Sequence, residues 1–303
     1  MNAIVGYTGF VGSNLYTPER FQAAYNTKNI GRAYGTEPDL LVYSGVRAEK
    51  YLANRDPERD LENIRQAEDN IRKINPKSLV LVSTVDVLSD SLGADENAKI
   101  DESRLQPYGL HRYMLEQWTR EHFPDALIVR LPGLFGKNLK KNFIYDFIHR
   151  IPSMLSTGKF EELSKKAPEL KEYYALQDNG FYKAAVPAEK EEEVKGLFNS
   201  LGFSALNFTD CRSRFQFYNL ARLWDDIQVA RKNEIRLLHL ATEPVSAGEV
   251  YEFLKGEQFS NKMDTPPACY DFRTAYASLF GGADGYICGR ETVLEEIRRF
   301  VNR

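Results

Sequence analysis

The chain opens MNAIVGYTGFVGSNL. A short apolar run, Ala3-Ile4-Val5, meets glycines at positions 6, 9 and 12, and Phe10 to Leu15 then reads as the start of a helix. Each glycine has its own physical reason in a strand–turn–helix. Gly6 allows the sharp turn, Gly9 lets the backbone approach a pyrophosphate, and Gly12 lets the helix pack closely on the strand. The amides that open such a helix have no carbonyl partners and carry partial positive charge, so Phe10 and Val11 belong to the same expected contact. A glycine triple alone is weak evidence. Placed directly after a strand and before a helix, it marks a dinucleotide-binding turn rather than an ordinary loop.

The rest of the first half repeats this rhythm. Phe21–Tyr25, Leu40–Tyr43, Leu79–Val82 and Ala126–Leu131 read as short strands, apolar on both faces. Asp56-Pro57 is a helix start, and Leu61, Ile64, Ala67, Ile71 and Ile74 follow at helical spacing up to Asn75-Pro76. Gln106-Pro107 opens another helix that runs to about His122. Strands alternating with helices predict an α/β fold: a doubly wound parallel sheet, Rossmann-type, with a smaller, mostly helical substrate lobe. Residues 1–137, with 206–242 returning to them, form the expected dinucleotide-binding domain. Residues 138–205 and 243–303 form the expected substrate-binding lobe, with helices over Lys159–Tyr174 and Ala188–Leu201.

Composition excludes several classes. The net charge is −3, far from the basic excess of a nucleic-acid binder. Three cysteines without C-x-x-C pairing and four histidines without ligand spacing predict reduced thiols and no metal site, as in a cytoplasmic protein. No apolar run reaches membrane-spanning length. Tyrosine and phenylalanine crowd the second half (Tyr173, Tyr174, Phe181, Tyr182), which predicts an aromatic core or pocket there.

Chemistry concentrates in Pro107-Tyr108-Gly109-Leu110-His111-Arg112. Tyr108 and Arg112 are four apart and share a helix face. A phenol beside a fixed cation has its anion favoured, which moves its pKa down from about 10 toward values useful in proton transfer. Ser83-Thr84 ends the fourth strand, at the carboxyl edge of the sheet where ligands of such folds bind. His111 lies off the Tyr–Arg line and reads as a surface residue. After the second strand, Tyr25-Asn26-Thr27-Lys28-Asn29 holds no carboxylate for an adenosine ribose. Asn26 suits a ribose hydroxyl and Lys28 a 2′-phosphate, so NADP is not excluded. NAD is favoured because no arginine is evident beside a 2′-phosphate.

VGYTGFVGSNL, DLLVYSGV, LVLVSTVDVL, YGLHRYMLE, VRLPGLFG, KNFI and RFQFYNL occur here in one order. In that order the chain resembles the extended short-chain dehydrogenases/reductases, the group of NAD-dependent sugar-nucleotide epimerases and dehydratases. The resemblance is good over about residues 1–150 and moderate over 210–245. It implies that Thr84 bonds the reacting substrate hydroxyl and that Tyr108 is the general acid/base. It places Arg112 where the family has a lysine that holds the nicotinamide ribose. It adds Asn142 and Arg214 to the substrate contacts. It also implies a homodimer paired through helices, the Tyr108 helix among them. Pro132, at the end of the fifth strand, is expected among the cofactor contacts, and Ser83 and Asp86, at the end of the fourth, among the substrate contacts. Asp86 reads either as a second acid/base or as a loop carboxylate bonding nearby backbone.

Two departures matter. Arginine at position 112 cannot give up its proton, and its fork is wider and planar. Val85 stands where the dehydratases carry their acid, which argues against a 4,6-dehydratase. The expectation is an NAD(P)-dependent epimerase or reductase on a sugar nucleotide or similar hydroxylated metabolite. The alternative is a non-catalytic dinucleotide-binding sensor or assembly protein whose chemistry Arg112 has dulled.

Overall fold

The computed structural model describes residues 1–302. The apolar runs form β1 (Asn2–Val5), β2 (Ala23–Tyr25), β3 (Leu40–Tyr43), β4 (Leu79–Thr84) and β5 (Leu127–Leu131). Leu237–His239 adds a sixth strand, and the order across the sheet is Leu237–His239, β5, β4, β3, β1, β2. Every pairing in this sheet is parallel. Strand order reverses at β1, which has β2 on one side and β3 on the other. In doubly wound sheets the crevice beyond the carboxyl ends at such a reversal is the ligand-binding position.

Strand alternation sends side chains to two cores. Ile4, Val42, Val80 and Val129 face one, with Leu223, Ile227 and Ala230 from the helix Leu223–Lys232. Ala3, Val5, Leu41, Tyr43, Leu79, Leu81 and Ile128 face the other. Ile64, Ala67, Ile71 and Ile74 of α3 (Pro57–Ile74) and Leu115 of α4 (Pro107–His122) cover that second face. Burying both faces explains why these strands are apolar throughout rather than alternating. The start of α3 is built as its sequence predicts: Pro57 opens it, and Asp56 accepts a hydrogen bond from the Arg59 amide at 3.2 Å. Asn75 in the left-handed region, at φ 53°, ends it.

The chain divides into two compact units. The first is Met1–Leu139, Arg214–Val245 and Cys269–Phe300, and contains the sheet. The second is Lys140–Ser213, Ser246–Ala268 and Val301–Arg303. Most of the final helix therefore belongs with the sheet, whereas the sequence reading grouped all of 243–303 with the smaller lobe. Val293, Leu294 and Ile297 of that helix are buried, and Ile287 before it lies in the first core of the sheet unit.

The second unit has its own core of Leu155, Phe160, Leu163, Leu170, Tyr173, Tyr174, Val194 and Phe198. The rings of Phe160 and Tyr182 stack at 3.8 Å between centroids. Tyr173 and Tyr174 are thus core and Tyr182 packs against it, whereas Phe181 is exposed. This unit is less helical than expected: Met154–Ser156, Phe181–Ala184 and Tyr174–Leu176 form an antiparallel sheet in that spatial order. Tyr174 lies in a strand, not at the end of a helix, which stops at Lys166. No helix among the described residues is long and apolar enough to cross a membrane.

The opening turn depends on close backbone contact. Gly6 has φ +90°, and a Cβ there would collide with the Ser44 carbonyl at the end of β3. A Cβ on Gly12 would collide with the Gly6 carbonyl and press the Tyr7 Cα at 2.9 Å. Gly12→Ala is therefore expected to cost about 1–3 kcal/mol of stability through overpacking. A urea titration checks this, and an unmoved midpoint would show that the turn has slack.

Candidate active site

The turn between β1 and α1 (Phe10–Leu15) presents unpartnered donors at the switch point. Gly9 occupies the N-cap without any side-chain capping bond. The first helical bond found is from the Ser13 amide to the Gly9 carbonyl, at 2.9 Å. The amides of Phe10, Val11 and Gly12 therefore lack partners within the helix. The Gly6 amide is bound to the Tyr25 carbonyl at 2.8 Å, which ties this turn to the end of β2.

Asn26 follows at once. Its Oδ1 accepts from the Lys28 amide at 2.9 Å, forming a tight turn. Lys28 and Arg32 are exposed in this acid-free segment, Arg32 on the 3₁₀ turn Ile30–Ala33. Arg32 is a cation that the sequence reading passed over when it found no arginine near a 2′-phosphate.

At the end of β4, Thr84 is half-buried, and its Oγ1 accepts from the Asp86 amide at 3.2 Å. The Asp86 carbonyl fills the space where a Cβ on Gly109 would lie, so the first turn of α4 packs directly on this loop. Thr84, Asp86 and Tyr108 are thereby brought to one edge. Pro132, half-buried directly after β5, shares that carboxyl edge. The hydroxyl of Ser83, next to Thr84, donates to the buried Glu116 at 2.6 Å. Glu116 pairs with Arg130 at 2.5 Å, and Arg130 contacts His239 at 3.1 Å, inside the protein. Burial first, then the Arg130 charge, pushes His239 down to about 3, so it stays neutral in this network.

Arg112 lies on the Tyr108 face of α4, with its guanidinium 3.9 Å from the phenol ring centroid. Its charge is matched elsewhere. Nη1 donates to Asp60 Oδ2 at 2.5 Å and to the Tyr108 carbonyl at 3.2 Å, and Nη2 donates to the Arg47 carbonyl at 2.6 Å. His111 is also buried and bonds the same Asp60 at 2.8 Å, so it is not the surface residue its helix position predicts. Burial raises the Tyr108 phenol above its ordinary value. Arg112 opposes this, Asp86 adds to it and Lys50 opposes it, and the balance is upward. The lowering expected from Arg112 is outweighed by desolvation and neighbouring carboxylates.

Arg214 is exposed at the start of the strand Arg214–Phe215, in the unit that holds the sheet. Asn142 belongs to the second unit. There it caps the helix Phe143–His149, its Oδ1 accepting from the Tyr145 amide at 3.1 Å. The sequence reading also missed Asp60 and Lys50, which meet the site only through tertiary packing.

No protein-family model and no curated protein matches the sequence. The fold is shared with solved structures. A dTDP-4-dehydrorhamnose reductase from Bacillus anthracis, in complex with NADP, is 16% identical with a TM-score of 0.62, covering 99% of this chain and 96% of that one. A UDP-N-acetylglucosamine 4-epimerase from Methanobrevibacter ruminantium, in complex with UDP-N-acetylmuramic acid, is 12% identical with a TM-score of 0.59, covering 99% and 96%. A UDP-glucose 4-epimerase from Thermus thermophilus, in complex with NAD, is 14% identical with a TM-score of 0.56, covering 100% and 98%. The chain is thus a doubly wound α/β protein whose likeness to this fold spans its whole length, not only the stretches where motifs are legible.

Arg112 reads here as a structural ion-pair partner. Arg112→Met would leave Asp60 buried and uncompensated, at an expected cost of about 3–5 kcal/mol. Adding Asp60→Leu should recover part of that loss in the same denaturant titration. A single variant as stable as the parent would contradict the pairing.

Proposed function

We propose that the chain is an NAD(P)-dependent reductase or epimerase acting on a nucleoside-diphosphate sugar, of the extended short-chain dehydrogenase/reductase type. The observation that carries this reading is the glycine turn at the strand-order reversal. Its uncapped amides fit a pyrophosphate, and the backbone packing at Gly6 and Gly12, which leaves no room for a Cβ, holds them at the crevice. The likeness in fold to reductases and epimerases of sugar nucleotides supports the substrate class.

Phe10, Val11 and Gly12 would hold the pyrophosphate through their amides, and Pro132 would line the same edge. Lys28 and Arg32 suit a 2′-phosphate, which favours NADP(H) over the NAD suggested by sequence alone. When bound, the nicotinamide ring supplies or accepts a hydride. Thr84 would bond the substrate oxygen, and Tyr108 would give or take the proton on that oxygen. Ser83, Asp86, Arg214 and Asn142 remain proposed substrate contacts, the Ser83 hydroxyl being oriented by its bond to Glu116.

A second reading, a dinucleotide-binding sensor without turnover, is favoured by one observation: Asp60 matches the charge of Arg112. Titration of NADPH and NADH by tryptophan fluorescence and a turnover assay separate the two. The enzyme reading predicts saturable binding, tighter for NADPH. It also predicts that Tyr108→Phe keeps binding but lowers dinucleotide oxidation with a 4-keto nucleotide sugar by about 10²–10⁴-fold. Saturable binding with no turnover on any nucleotide sugar would support the sensor. No binding of either dinucleotide would overturn both.

A further inference from the structure

The chain that joins Thr84 to Tyr108 is held unevenly. Its start is fixed at Asp86. Thr84 Oγ1 accepts from the Asp86 amide, Gly109 packs on its carbonyl, and Lys50 on α2 (Lys50–Arg55) pairs with its carboxylate at 2.6 Å. Val85, Val87 and Leu88 are buried, but no residue from 89 to 107 is. A segment with so little buried apolar surface opens locally at low cost unless specific bonds hold it.

One carboxylate supplies such bonds. Glu96 Oε1 accepts from the His239 amide at 2.7 Å and from the Thr274 hydroxyl at 2.6 Å, and Oε2 accepts from the Ala275 amide at 2.8 Å. Beside it, the Gly93 amide donates to the Asp271 carbonyl at 2.6 Å, and the Arg273 amide donates to the Ala94 carbonyl at 2.8 Å. His239 ends the outermost strand, which pairs with β5, so residues 89–101 reach from the end of β4 past β5 along the carboxyl edge. The Asp101 amide on Ser89 Oγ, at 3.2 Å, closes the base of this strap.

The latch needs a carboxylate, because all three of its partners are donors. The Thr274 oxygen itself accepts from the Tyr276 amide at 3.2 Å, and its hydrogen goes to Glu96. His239 also ends the buried chain that starts at Ser83. Arg130 donates to its Nε2, so its Nδ1 carries the proton and donates to the Arg273 carbonyl at 3.0 Å. Strap, outer strand and the end of β4 are thus joined through one residue.

We propose that Glu96 latches the strap 89–101 to the carboxyl edge, and that the strap must be docked for a nucleotide sugar to bind productively beside Thr84 and Tyr108. Glu96 acts through the strap, so it is a positioning residue. Undocking lowers the fraction of binding-competent protein, and apparent affinity for the sugar falls by that fraction. The glycine turn lies beyond β4 and β3, after β1, so dinucleotide affinity does not follow the latch. The purpose of the latch rests on the proposed function, but its hold on the strap does not.

Hydrogen–deuterium exchange on the full chain, without ligands, reads that hold. Glu96→Ala is expected to speed exchange in peptides covering 89–101 by about tenfold or more, with β4 and α3 unchanged. Glu96→Gln keeps one acceptor oxygen and turns an NH₂ toward a donor, so it should fall between parent and Glu96→Ala. Thr274→Val, which removes one donor from the other side, should also be intermediate. In turnover with NADPH and a 4-keto nucleotide sugar, Glu96→Ala should raise KM for the sugar by about tenfold and leave NADPH affinity unchanged.

Strap exchange at the parent rate in Glu96→Ala, or acceleration shared equally by β4 and α3, would overturn the latch. A fast strap with an unmoved KM would overturn its role in sugar binding. Absence of turnover on any nucleotide sugar would instead remove the proposed function and leave the exchange result standing, so the two failures are distinguishable.

Discussion

Three backbone segments meet at the end of β1 closely enough to exclude side chains. Gly6 lies on the Ser44 carbonyl at the end of β3, and Gly12 lies on the Gly6 carbonyl. This contact brings α1 down onto the sheet at the point where strand order reverses. It also leaves the first amides of α1 uncapped at that crevice. Everything proposed about a bound dinucleotide depends on this arrangement. The glycines are needed for two reasons: a positive φ at Gly6, and the absence of a Cβ at Gly12.

The opposite side of the site is set by buried charge on α4. Two ion-pair systems run inward from this helix, Arg112 and His111 to Asp60, and Glu116 to Arg130. Each holds α4 against a different neighbour, α3 in one case and β5 in the other. Breaking one partner leaves a charge without water or counter-ion, so such pairs constrain position more than they add stability. Tyr108 is held by the first system, and the end of β4 by the second through Ser83. A tyrosine buried this way has a raised proton affinity, because burial and the nearby Asp86 outweigh Arg112.

Local patterns carried most of the sheet unit. Asp56-Pro57 and the spacing Ile64, Ala67, Ile71, Ile74 specify α3 because cap, proline and apolar stripe agree. The five apolar runs specify β1 to β5 because both faces are covered. The hairpin between Leu176 and Phe181 was missed although Asn179-Gly180 is a turn signal. Charged residues around Lys159–Tyr174 gave a stronger helical pattern than that turn gave a hairpin. Helical spacing placed Arg112 over Tyr108 correctly, but it did not reveal Asp60, which lies more than 50 residues away in sequence. Lys50 was illegible for the same reason, since only the packing of 47–54 on α4 brings it to the site.

The most direct measurement is a crystal structure of the protein grown with saturating NADPH. The account predicts pyrophosphate oxygens within hydrogen-bonding distance of the Phe10 and Val11 amides, with the nicotinamide beside the Tyr108 phenol. An empty glycine turn, or a dinucleotide bound with its nicotinamide away from Tyr108, would contradict it.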